Sequence, residues 1–219
     1  MYSQQLIPRT NPEDEALRQE RRAVRLRRRK QRRRARIILW STISLSVILL
    51  LAIGYFYLQI QQISTIETNY PPINGVSCYS TEQTNFHIHA HVSIYINGKQ
   101  IPIPQGVGIG ANNICYYWLH TNTSDGIIHI AAPQQASNLA LDDFLTIWDV
   151  GFAKLGFPQQ LTLTTGWKIF VNGKAITTTV TSPLTTEVPM HSHDAITLEY
   201  GSNNPPPDQS YAFPANLPE

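Results

Sequence analysis

Seven histidines stand at positions 87, 89, 91, 120, 129, 191 and 193. His87, His89 and His91 form His-x-His-x-His in a stretch of alternating, largely β-branched residues, so their side chains project from one face of a strand. His120 and His129 flank a turn signal, Thr123-Ser124-Asp125-Gly126. A four-residue loop at 123–126 pairs 120 with 129, whereas a two-residue Asp125-Gly126 turn pairs 122 with 129. In both registers His120, Asn122 and His129 share a face. His191 and His193 form a further alternating pair, followed by Asp194, which a loop could hold apart from the rest.

Imidazoles gathered on adjacent strands suit a first-row transition metal, since neutral nitrogen ligands bind Zn²⁺, Cu²⁺, Ni²⁺ or Fe²⁺. The candidate metal set is His87, His89, His91, His120 and His129. Its expected direct ligands are His89, His91 and His129, with His87 peripheral near the strand start. Ring tautomers need a supporting layer, which Asp125, Asp194, Tyr95 or backbone carbonyls could supply. The alternative is that these rings stack on a half-exposed sheet and hold no metal. No catalytic residue is nominated: the carboxylates are scattered, and there is no Cys-x-x-Cys, phosphate-binding glycine loop or nucleophile elbow. Asn122-Thr123-Ser124 matches a glycosylation sequon, a pattern frequent by chance. The aromatics Tyr116, Tyr117, Trp118, Phe144, Trp148, Trp167 and Phe170 are expected in the core rather than as a ligand platform.

The elements that must position the histidines are mainly β. A strand over 86–96 runs into Asn97-Gly98, a strong hairpin signal, and returns over 99–104, where Pro102 and Pro104 confine it to a sheet edge. The same pattern recurs at 167–174 around Asn172-Gly173. Residues 116–120 and 126–130 form another hairpin, and residues 195–200 a last strand. Apolar positions 141, 144, 145, 147 and 148 have helical spacing, with Asp142 and Asp143 at the start and Gly151 as the stop. The expected fold is therefore an antiparallel sheet domain with one short helix, preceded by a single transmembrane helix.

Charge divides the chain. Residues 1–36 carry thirteen arginines and lysines against four acids, and the remainder carries four lysines against eleven acids. Residues 37–58 form an apolar run of 22, which as a helix spans about 33 Å, enough for a bilayer core of about 30 Å. Arg32, Arg33, Arg34 and Arg36 abut its N-terminal end, and no basic residue follows until Lys99. The positive-inside rule then places the N-terminus in the cytoplasm and the C-terminal domain outside. The segments expected are 1–36 (basic, cytoplasmic), 37–58 (span), 59–74 (linker), 75–202 (extracytoplasmic β domain) and 203–219 (proline-rich tail), with residues 1–14 disordered. A retained anchor is favoured over a cleaved signal, because the apolar core is long and no small-x-small site follows it. The arginine run is read as a topology signal that attracts anionic lipid headgroups rather than nucleic acid. Cys78 and Cys115 both fall in the outer part, where an oxidising compartment favours a disulfide.

Three stretches carry a resemblance. They are Phe86-His87-Ile88-His89-Ala90-His91-Val92 leading to Asn97-Gly98-Lys99, Cys115-Tyr116-Tyr117-Trp118-Leu119-His120-Thr121-Asn122 leading to Gly126-Ile127-Ile128-His129-Ile130, and His193-Asp194-Ala195 through Gly201. Together they resemble a family of uncharacterised, membrane-anchored extracytoplasmic proteins of bacteria and archaea over about residues 75–215. The resemblance implies no activity. In the family pattern a histidine commonly stands at the position of Asn122, and an acid follows Ile-His-Ile where this chain has Ala131-Ala132. The functional expectation is an extracytoplasmic protein binding copper or zinc without catalysis. The alternatives are a metalloenzyme of oxidase or hydrolase type, or a structural or partner-binding ectodomain whose histidines are incidental.

Overall fold

A computed structural model of the chain describes residues 12–134, 139–176, 180–215 and 217. The chain divides into two compact units, Met1–Ile60 and Gln61–Glu219. One helix, α1 (Pro12–Asn69), runs through the first unit and into the second. The expectation of disorder over 1–14 falls on residues 1–11, which lie outside the described residues, and on residues 12–14, which are helical. After Pro12, α1 holds no proline and one glycine, Gly54, whose cost of about 1 kcal/mol does not end the helix. It stops where Tyr70-Pro71-Pro72 forbids continuation, since a residue before proline is pushed out of the α region. The linker expected from residue 59 is thus helical through Asn69.

Part of α1 is long and apolar enough to cross a membrane, and none of its most apolar window is buried. Ser41, Thr42 and Ser46, within the apolar stretch, close on the helix itself. The hydroxyls of Ser41, Thr42 and Ser46 donate to the carbonyls of Ile38, Leu39 and Thr42 at 2.6–2.8 Å. In hydrocarbon this satisfaction makes them tolerable.

In the second unit, β1 (Cys78–Tyr79) precedes the long β2 (Phe86–Ile96), and β3 (Lys99–Ile101) returns from it. Then come β4 (Tyr116–Tyr117), β5 (Leu119–His120) and β6 (Ile127–Ala132), followed by the helix α2 (Leu141–Phe152). The strands β7 (Trp167–Val171), β8 (Lys174–Ala175) and β9 (Ala195–Tyr200) complete the domain. Among the described residues, seven strands form one sheet in the order β5-β6-β2-β9-β7-β8, with β3 also on β2, while β1 and β4 pair separately. Every pairing is antiparallel except β2 with β9, which runs parallel.

Both Asn-Gly hairpins form. Asn97 and Gly98 have φ of 51° and 81°, and Asn172 and Gly173 have 51° and 75°, the positive values that two-residue hairpin turns require. The stretch 116–120 divides because β4 pairs with β1 while β5 pairs with β6. The disulfide Cys78–Cys115 joins the segment before β1's partner to β1 itself. Helix α2 starts as expected, with the Asp143 carboxylate accepting from the Ala140 N–H at 3.1 Å. It runs past Gly151, and the left-handed turn that closes this region falls at Gly156 (φ 94°).

On one face of β2, Ala90, Val92 and Ile94 join Leu141, Phe144, Leu145, Ile147 and Trp148 of α2 in the core. Full burial contributes about 1.5–3 kcal/mol for each large apolar side chain. The opposite face carries His87, His89, His91, Ser93 and Tyr95. It too is largely covered, because the C-terminal segment crosses it. Ser93 donates to the Asp208 carboxylate at 2.7 Å, the Asp208 N–H donates to the Thr197 hydroxyl at 3.0 Å, and Tyr211 stacks on His91 at 3.7 Å.

Gly108 brings its backbone close against the strand that carries His120. It adopts φ 77°, and a Cβ there would run into the Leu119 carbonyl oxygen and the His120 Cβ. Gly108→Ala is therefore expected to cost at least about 1 kcal/mol and to displace β5. Chemical denaturation, with the His120 imidazole resonances as a local reporter, checks this.

Candidate metal centre

Strand register brings the histidines together. His89 lies directly opposite His129 on the β2–β6 pair, and His120 opposite His129 on the β5–β6 pair. The four-residue turn is thus the one adopted. It is closed by Asp125, whose Oδ1 accepts from the Thr123 hydroxyl at 2.6 Å and the Ile127 N–H at 3.2 Å. Three imidazoles from three adjacent strands form a row across the sheet, with His87 two residues along β2 on the same face.

The ring nitrogens converge on one atom. His129 Nδ1 lies 3.2 Å from His87 Nε2 and 3.1 Å from His89 Nε2. A carboxylate completes the cluster: Glu82 Oε1 is 3.1 Å from His120 Nε2, 3.4 Å from His87 Nε2 and 3.8 Å from His129 Nδ1. Among the described residues, two groups have all their ligand atoms within 4.8 Å of one another, His87 with His89 and His129, and Glu82 with His120 and His129. Both could hold a metal ion. Tetrahedral bonds of about 2.0–2.1 Å place neighbouring ligand atoms roughly 3.3–3.4 Å apart, in the middle of the observed separations.

Hydrogen bonding alone does not satisfy this arrangement. An imidazole nitrogen offers one proton or one lone pair, so His129 Nδ1 cannot serve both of its neighbours. His120 poses the same problem. Its Nδ1–H donates to the Tyr117 carbonyl at 2.9 Å, which in the neutral ring leaves a lone pair on Nε2 facing the Glu82 carboxylate. A proton or a cation must lie between two such acceptors.

The chain matches no protein-family model, no curated protein and no solved structure. The family resemblance therefore rests on its motifs alone. Ala131 stands opposite His87 on the histidine face. The carboxylate near the cluster is that of Glu82, which comes from the segment between β1 and β2.

Burial prepares the rings for a cation. His89 and His129 are 1% and 7% exposed, and His120 is fully buried. Desolvation, reinforced by neighbouring imidazoles, pushes His89 down to about 3 and His129 down to about 4. Desolvation also lowers His87. The contact with the His120 ring leads the causes that lower Glu82, against the opposing effect of burial. Near neutral pH, His87, His89 and His129 are thus uncharged, as ligands must be.

Protein stripped of metal should lose stability in acid. His89 and His129 have folded pKa values below the unfolded value of about 6.5, so the unfolded chain binds more protons between about pH 3 and 6.5. Stability is fully present above that window and is lost as pH falls through it, by on the order of 1 kcal/mol per pH unit for each ring. Urea melts between pH 7 and pH 4 should show this loss, and His89→Phe should flatten it.

His91 is not brought to either group. β2 pairs with β6 only as far as His91, whose partner there is Ile127. Its Nε2–H donates to the Asp125 carbonyl at 3.0 Å and its ring lies on Tyr211. His191 bonds the Asp194 carboxylate at 3.2 Å, and the His193 N–H donates to the His89 carbonyl at 2.7 Å. Of the expected supporting groups, Asp125 contributes its carbonyl to His91, while the carbonyl of Tyr117 serves His120. Glu82 has no periodicity to betray it. Its one sequence signal is that it is the only acid between Glu67 and Asp125 and lies four residues after a cysteine.

Proposed function

We propose that this chain is a single-pass membrane protein whose extracytoplasmic domain binds Zn²⁺ or Cu²⁺ through His87, His89 and His129, with Glu82 and His120 alongside. The observation that carries this reading is the approach of two ring nitrogens to His129 Nδ1 at 3.1 and 3.2 Å. The ligand types support divalent zinc or copper over Cu⁺, because the groups hold imidazole and carboxylate and no sulfur. The arginine run beside the apolar stretch supports a cytoplasmic N-terminus, with anionic lipid headgroups as its partners. The disulfide suits an oxidising compartment. Binding without turnover is the leading reading, so the domain holds or carries the ion.

The test is thermal unfolding of the full chain in detergent. Zn²⁺ or Cu²⁺ at about 100 times its Kd should stabilise the domain by about 2.7 kcal/mol, reversed by a chelator. No shift with either ion would overturn the proposal. A second reading, a metalloenzyme of oxidase or hydrolase type, draws on a cavity of about 340 Å³ lined by His89, His193 and Phe213. Such an enzyme needs an open coordination position beside the ion.

A further inference from the structure

We infer that the cluster holds its metal ion in either of two overlapping positions that share His129, one of them opening toward solvent at Glu82. This rests on the metal-binding reading above and concerns how the ion is held and released.

The five ligand atoms fall into two groups rather than one. The inner group, His87, His89 and His129, comes from β2 and β6. The outer group, Glu82, His120 and His129, draws on β5, β6 and the segment between β1 and β2. His129 belongs to both, and one Nδ1 binds one metal ion, so the two positions are filled in turn and the total remains one ion. The groups also touch, since His87 Nε2 is 3.4 Å from Glu82 Oε1. An ion can exchange one set for the other while His129 stays bound.

The two positions differ chemically. The inner set is three neutral nitrogens and includes His89, at 1% exposure. The outer set adds a negative carboxylate whose side chain is 29% exposed. A closed structural site has a single set of four ligands shielded from water. Two sets of three, one reaching solvent through a carboxylate, suit an ion that is cargo: Glu82 is where an acceptor's ligand would first displace a protein ligand. The class of partner this implies is a metal acceptor or donor presenting nitrogen or oxygen ligands.

Electron paramagnetic resonance of Cu²⁺ on the full chain in detergent tests the inference, with one equivalent of Cu²⁺ added to wild type, His87→Ala, His89→Ala, Glu82→Gln and His129→Ala. Circular dichroism establishes that each variant is folded, and His87→Ala stands in for His89→Ala if the buried substitution unfolds the domain. The expected result is that either inner-set variant still binds one Cu²⁺, within about 100-fold of wild type, with fewer nitrogen couplings and parameters shifted toward mixed nitrogen–oxygen ligation. Glu82→Gln should bind with the all-nitrogen signature, and His129→Ala should lose both. If a folded inner-set variant and Glu82→Gln each abolish binding, or leave the spectrum as in wild type, there is a single position and the inference fails while the metal-binding reading stands. If wild type binds no Cu²⁺ and no Zn²⁺, both fall.

Discussion

His129→Ala is expected to weaken Zn²⁺ or Cu²⁺ binding by at least roughly 100-fold, more than the loss of a residue that merely orients a ligand. The reason is topological. His129 is the only residue present in both candidate groups, and its Nδ1 approaches nitrogens from β2 as well as the Glu82 carboxylate. The substitution leaves the sheet's hydrogen bonds intact and exchanges a 7%-exposed ring for a methyl group, so the fold should survive. Competition against a chromophoric chelator measures the loss. His191→Ala, which removes a ring outside both groups, should leave the affinity unchanged. Equal losses from the two variants would show that the binding is not specific to the cluster.

Removing the disulfide, by Cys78→Ala with Cys115→Ala, is the second large effect. The bond joins residues 37 apart, and on the chain-entropy model closing such a loop stabilises by about 3–4 kcal/mol. In a domain of this size that corresponds to a fall in Tm of roughly 10 °C. The site should suffer as well. Glu82 lies between the disulfide-held β1 and the start of β2, and β1 pairs with β4 next to the strand carrying His120. With that staple gone, the carboxylate loses its fixed distance from His120, so metal affinity should fall even where the domain remains folded. Thermal unfolding and chelator competition on the same preparation separate the two effects. A normal Tm in the double variant would show that the disulfide does not stabilise the domain.

Much of this arrangement was legible in the sequence, for identifiable reasons. The strand at 86–96 alternates strictly enough to put three histidines on one face, and Asn-Gly dictated both hairpins. The apolar run with its arginine flank announced the long helix. Local patterns were less able to describe how strands neighbour one another. The parallel pairing of β2 with β9 joins segments about 100 residues apart, and no turn signal encodes it. The split of residues 116–120 between two partners depends on β1, a two-residue strand too short to have a period.

The site was legible in the same uneven way. Strand register determined that His89, His120 and His129 meet, and the turn at 123–126 carried that register. His91 obeyed the same alternation as His87 and His89, yet β6 has no histidine opposite it, and Tyr211 covers its ring from a segment 120 residues away. Glu82 was invisible because its position follows from a disulfide and a loop. Its neighbours His120 and His87 reveal it only once the chain is folded.

Binding of one transition-metal ion by this histidine cluster is read most directly from the metal content of the full chain in detergent, stripped with a chelator, dialysed against an equimolar Zn²⁺ and Cu²⁺ mixture and analysed by mass spectrometry beside His129→Ala. Close to one equivalent of metal is expected in the wild type and close to none in the variant. No retained metal in the wild type, or the same amount in both proteins, would contradict it.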